Sequence, residues 1–161
     1  MFHVTARAVY ERLLFEDAVD RRVFLSLLRK LHARFGLECL AYCLMGTHYH
    51  LFLQGTTDAL ADSMRRLNGA YAHHFNLRHR RHGHVFGQRY TARAVLDEKH
   101  LERLYGYIAE NPAKAGLCAP DERWPWMWFR QVRRPKTFAR PQPVGTGLSL
   151  SLRSARRYSS S

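Results

Sequence analysis

Near the amino terminus, apolar Phe2, Val4, Ala6 and Ala8 alternate with His3, Thr5 and Arg7. A period of two predicts a strand with one buried face. Glu16 or Asp17 can open a helix, since carboxylates suit its positive end. Beyond them the apolar positions switch to helical spacing: Phe24, Leu27, Leu28, Leu31 and Phe35, with Arg21, Arg22, Arg29 and Lys30 largely elsewhere. Gly36 stands where a helix prefers a terminal glycine. Ala41 to Gln54 reads as two short apolar strands joined by a turn at Met45, Gly46 and Thr47. Asp58 or Asp62 is expected to cap a second helix, striped by Leu60, Met64, Leu67, Tyr71 and Phe75. Tyr90 to Leu96 predicts a fourth strand. Asp97 opens a last helix with Leu101, Leu104, Tyr105 and Ile108 on its apolar side. Asn111-Pro112 is expected to end it, because a residue before proline is pushed out of helical geometry. Trp124 to Phe129 reads as an aromatic patch over the core. The order predicts an α+β fold: a ferredoxin-like split β-α-β antiparallel sheet, helices packed on one face, and the histidine-bearing strand central.

Composition adds a partner to this picture. The chain has 161 residues, 46% of them hydrophobic, enough for one cored domain. That domain is expected over residues 1–130. Residues 131–161, rich in Arg, Pro, Gly and Ser, read as a basic, poorly ordered tail. The net charge of +13 predicts a polyanionic partner, nucleic acid ahead of anionic membrane. No apolar run is long enough to cross a bilayer, and the first residues lack a signal-peptide layout. Cys39, Cys43 and Cys118 are odd in number and show no Cys-x-x-Cys spacing. Reduced thiols and a cytoplasmic location are therefore expected.

The chemistry concentrates in two places. On an extended strand His48 and His50 project from one face, with Phe52 beyond them, while Tyr49, Leu51 and Leu53 point to the core. Two imidazoles on one face are a ready pair of ligands for a divalent cation; one core and one surface histidine is the plainer alternative. The last helix offers Asn111 as a third donor, with Tyr107 one turn before it on the same side. Tyr107 lies off the apolar stripe and is either a nucleophile or a packing tyrosine. Tyr105 sits closer to the stripe. Arg65 and Arg66, then the cationic run Arg78, Arg80, Arg81 and His84, then Arg89, form the expected DNA-binding surface. Aromatic residues around that run could stack on unpaired bases.

His48-Tyr49-His50 resembles the His-hydrophobe-His signature of the HUH endonucleases. Tyr107-Ile108-Ala109-Glu110-Asn111-Pro112 followed by Ala113-Lys114-Ala115-Gly116 is similar to the catalytic-helix motif of single-tyrosine transposases, nearest the REP-associated branch. The likeness extends over His3-Val4-Thr5, Leu44-Met45, Gly83-His84-Val85-Phe86, Gln88-Arg89-Tyr90 and Trp124-Pro125-Trp126, and so over roughly residues 1–130. Gly46-Thr47 departs from it, standing where relatives carry a Pro-Asn-like pair. The resemblance implies Tyr107 as nucleophile, with His48, His50 and Asn111 holding Mg²⁺ or Mn²⁺. It implies cleavage and rejoining of single-stranded DNA hairpins through a 5′-phosphotyrosine, by a monomer or homodimer away from any membrane. Two alternatives stand beside it: a catalytically silent hairpin-binding protein of the same fold, and a zinc protein with Cys43 or His84 completing the ligand set.

Overall fold

A computed structural model of the protein describes residues 1–130; the expected tail, residues 131–161, lies outside the described residues. The elements are β1 (Phe2–Arg7), a 3-10 turn (Val9–Glu11), α1 (Ala18–Phe35), β2 (Glu38–Leu44), β3 (His48–Gln54), α2 (Thr57–Arg78), β4 (Thr91–Ala94), α3 (Glu98–Lys114) and β5 (Met127–Phe129). The strands form one antiparallel sheet in the order β4-β1-β3-β2-β5. The first four give the ferredoxin-like order, and β3 is central as the pattern predicts. The fifth strand was not legible beforehand. It is the end of the aromatic cluster, paired to the free edge of β2.

The alternation along β3 sorts two cores. Tyr49, Leu51 and Leu53 join Val4, Ala6 and the apolar sides of α1 and α2, including Phe24, Leu28, Leu60, Leu67 and Tyr71. On the opposite face Phe52, Ala41 and Cys43 pack with Leu101, Leu104 and Ile108 of α3. The expected placement of helices on one face therefore holds for α1 and α2 but not for α3. A bulge between Cys39 and Ala41 lets Leu40 and Ala41 both face α3, enlarging that second core. Because α3 covers only part of its face, the end of the sheet carrying His48, His50, Thr5 and Arg7 stays open as a polar cleft.

Caps explain most helix boundaries. Asp17 Oδ1 accepts from the amides of Val19 (2.8 Å) and Asp20 (3.1 Å). Gly36, at φ +65°, follows α1 in the left-handed region that glycine tolerates. The cap of α2 is Thr56, not Asp58 or Asp62. Its hydroxyl accepts from Ala59 N–H at 3.2 Å, because the cap must hold an extended backbone just before the helix. Asp97 caps α3 as expected, accepting from His100 N–H at 2.7 Å. Pro112 does not end α3. Its ring is buried, it forfeits one backbone hydrogen bond, and the helix runs on to Lys114. The stop comes at Gly116 (φ +68°), where Gly116 N–H bonds the Ala113 carbonyl and Leu117 N–H the Pro112 carbonyl, both at 2.9 Å.

Candidate active site

Three elements build the cleft. β3 contributes His48 and His50, β1 contributes Thr5 and Arg7 in direct register with His50 and His48 and His3 diagonally beside His50, and α3 contributes Tyr107. The cleft encloses about 940 Å³. The rings of His48 and His50 lie 5.0 Å apart at 79°, and the Tyr107 ring stands 5.7 Å from His50, edge to face at 84°. Tyr107 is 51% exposed, so its hydroxyl end is open to a substrate. Tyr105 has the opposite fate. It packs between Phe52 and Phe129, and burial pushes its phenol up to about 12. Tyr49 points to the α1/α2 core, its hydroxyl donating to Asn68 Oδ1 at 2.8 Å.

Both imidazoles of β3 are poised as lone-pair donors. Burial first, then the Arg7 charge, lowers His48 to about 4. Burial first, then His48, His3 and Arg7, lowers His50 to about 3. Each ring is neutral at physiological pH, the form in which histidine ligates metals. His48 Nδ1 lies 3.1 Å from Thr47 Oγ1 and His50 Nδ1 lies 3.1 Å from His3 Nε2. His50 Nε2 is buried and has no hydrogen-bond partner among the described residues. A buried nitrogen with its other ring position engaged fits a cation ligand. Thr47, half of the departure from the family pattern, thus supports the first histidine rather than disturbing it.

Asn111 does not line the cleft with the histidines. It stands one turn beyond Tyr107, half-buried, with its amide Nδ2 lacking a partner. An amide flip would present Oδ1 there instead with no change of shape. Among the described residues no three His, Cys, Asp or Glu side chains stand close enough to hold a metal. Cys43 is buried, its thiol against the Met45 sulfur at 3.5 Å, and His84 is exposed on a loop. Neither completes a zinc centre.

The charge map differs from the sequence expectation. Arg78 bridges Asp17 (2.5 Å) and the fully buried Asp20 (2.7 Å), and Arg81 pairs with Glu16 at 2.7 Å. Both spend their charge fastening the end of α2 and the loop after it to the start of α1 and the residues just before it. Arg65 pairs with Asp62 at 3.2 Å, and Arg66 lies over the Phe35 ring at 5.4 Å. Both belong to α2, which covers the face opposite the cleft. Arg80 and His84 are exposed and make no ion pair among the described residues. Of the seven expected DNA-binding residues only Arg89 lines the cleft. Arg7, Arg93 and Arg103 line it too, with His100, and no Asp or Glu does. The signal for two of these was available. Arg7 shares the polar phase of β1 with His3 and Thr5, and β4 sets Arg93 opposite His3. Arg103 could be placed only once α3 was known to cross this face.

At the mouth of the cleft Tyr10 is 88% exposed and holds φ +50°, ψ +37°. A left-handed backbone is costly for an aromatic residue.

No curated protein matches the chain by sequence. Among solved structures, the chain is similar to a REP-associated tyrosine transposase bound to a REP hairpin (TM-score 0.61, 15% identity, covering 86% of this chain and 90% of that one). It is also similar to a protein of Deinococcus radiodurans R1 assigned to the transposases (TM-score 0.50, 23% identity, covering 66% of this chain and 86% of that one). At these identities the likeness is one of fold. The sequence itself carries the membership, since the family described as "Transposase IS200 like" matches residues 1–111, more than half the chain. With an antiparallel sheet, a central histidine strand and a helix-borne tyrosine facing it, this chain belongs to the IS200-like transposases.

Proposed function

We propose that this transposase cleaves and rejoins single-stranded DNA at hairpin-forming repeats through a covalent 5′-phosphotyrosine at Tyr107. One observation carries the reading. Two neutral imidazoles and an exposed tyrosine converge on a cleft lined by four arginines and no carboxylate. Such a cleft attracts a phosphodiester and repels nothing about it.

Tyr107 Oη attacks phosphorus, the bond from phosphorus to the 3′ oxygen breaks, the phenol loses its proton and the leaving 3′ oxygen gains one. Attack by another strand's 3′-hydroxyl reverses the step and joins strands, conserving the phosphodiester. His48 and His50 would hold Mg²⁺ or Mn²⁺, with Asn111, which stands one turn beyond Tyr107 outside the cleft lining, left as the third donor that would have to move in; the bound cation would supply Lewis-acid polarisation of the scissile phosphate. Arg7, Arg89, Arg93 and Arg103 orient the phosphates on either side of the scissile one. Preference for single strands is supported by Tyr10, whose exposed ring offers a stacking face that only an unpaired base can use. The hairpin-bound neighbour supports a hairpin-bearing strand as substrate.

The test is denaturing electrophoresis of the full chain with end-labelled hairpin DNA and Mg²⁺ or Mn²⁺. A covalent protein–DNA band, absent for Tyr107→Phe, supports the reading. A shift in a native gel with no covalent band under any metal would make the protein a hairpin binder that has lost its chemistry.

A further inference from the structure

We infer that His3 is a positioning residue that fixes which nitrogen of His50 carries the proton and which keeps its lone pair. The inference rests on the metal-site reading above and adds a residue to it.

The register of β1 on β3 sets Thr5 opposite His50 and His3 opposite Phe52. His3 is thus the diagonal neighbour of His50 on one face, within reach of an aromatic side chain. The two rings lie edge to edge, with centroids 5.3 Å apart and planes only 14° from parallel, as an in-plane hydrogen bond between them requires. His3 Nε2 lies 3.1 Å from His50 Nδ1. A hydrogen bond between two imidazole nitrogens needs a single proton, and the proton has two places to be. If His3 donates, His50 must carry its own proton on Nε2, a buried position with no acceptor among the described residues. Orphaned buried N–H groups are rare because nothing repays their desolvation. If His50 donates through Nδ1–H, its Nε2 keeps a free lone pair, the form a ligand must take. Partners that hold a ligating histidine through its other nitrogen fix both tautomer and ring orientation.

Two substitutions separate the hydrogen bond from the packing. His3→Phe keeps an aromatic ring beside His50 and removes the acceptor. His3→Gln restores an acceptor near the position of Nε2. Nitrogen-15 NMR of the metal-free full chain reads the His50 tautomer, and calorimetry with Mn²⁺ alone reads affinity. The expected result is Nδ1–H in the wild type and a shift toward Nε2–H in His3→Phe. Mn²⁺ affinity should fall about 10- to 100-fold in His3→Phe and stay within about threefold of wild type in His3→Gln. An unchanged His50 tautomer in His3→Phe overturns the inference, as does an equal loss of affinity in both variants, which would assign His3 to packing alone. If the wild type takes up no Mn²⁺, the metal reading fails, and the metal-free tautomer measurement still decides the role of His3.

Discussion

The sorting of arginines makes a quantitative prediction about salt. For single strands, each phosphate neutralised contributes about −0.7 to the slope of log affinity against log salt. Arg7, Arg93 and Arg103 line the cleft, and no carboxylate shares it with them. Replacing the three with Gln should flatten the slope by about 2, if each meets one phosphate. Between about 50 and 200 mM salt, that is more than a tenfold difference in how far affinity falls. Arg78 and Arg81 already face Asp17, Asp20 and Glu16, so Arg78→Gln with Arg81→Gln should leave the slope nearly as it was. That pair should lower the melting temperature instead, because Asp20 is fully buried and loses its arginine, keeping only the His79 imidazole and the Glu16 amide as hydrogen-bond partners. The assay is fluorescence anisotropy with a labelled hairpin-bearing strand across a salt series, in the Tyr107→Phe background so that no covalent product accumulates. The reasoning is refuted if the cleft triple variant keeps the wild-type slope, or if the Arg78/Arg81 variant loses it.

Other outcomes follow from the same geometry. Tyr107→Phe should abolish covalent capture and change stability by no more than about 0.5 kcal/mol, since the ring is half exposed and its hydroxyl bonds nothing among the described residues; mass spectrometry placing a trapped adduct on Tyr105 would refute it. His48→Ala and His50→Ala should each remove Mn²⁺ binding measured by calorimetry while the fold persists, and unchanged affinity in both would undo the metal assignment. The hydrogen bond from Arg78, chiefly, holds Asp17 at about 2, below its ordinary 3.8. A depressed carboxyl stabilises the fold above its unfolded value and loses that contribution as pH falls from 3.8 toward 2, so Arg78→Gln should flatten the acid limb of a denaturation series in that window. Tyr10→Gly should relieve the left-handed backbone, raising stability by up to about 1 kcal/mol, while weakening single-strand binding in the anisotropy assay.

Much of this molecule is written in local pattern. The period-two alternation of His48, Tyr49 and His50 already separates a core residue from two site residues, because a strand has only two faces. The stripe on α3 already leaves Tyr107 outside it and draws Tyr105 inward. Gly36 and Asp97 mark their helix ends through backbone geometry that neighbours alone impose. What the pattern could not carry is which face α3 would cover. An apolar stripe specifies that a helix must bury one side, not against which side of a sheet, and that choice depends on the whole chain path. The choice decided that Arg103 meets the cleft. It also put Tyr107 over His50. Charge was misplaced for a related reason. The run from Arg78 to Arg81 looks like a free cationic surface because its carboxylate partners lie some 60 residues earlier, at Glu16, Asp17 and Asp20. Composition counts charges, but only the tertiary fold brings those two segments within 3 Å and so decides which charges remain for DNA. The same holds for His3 and His50, 47 residues apart, which strand pairing alone makes a hydrogen-bonded pair.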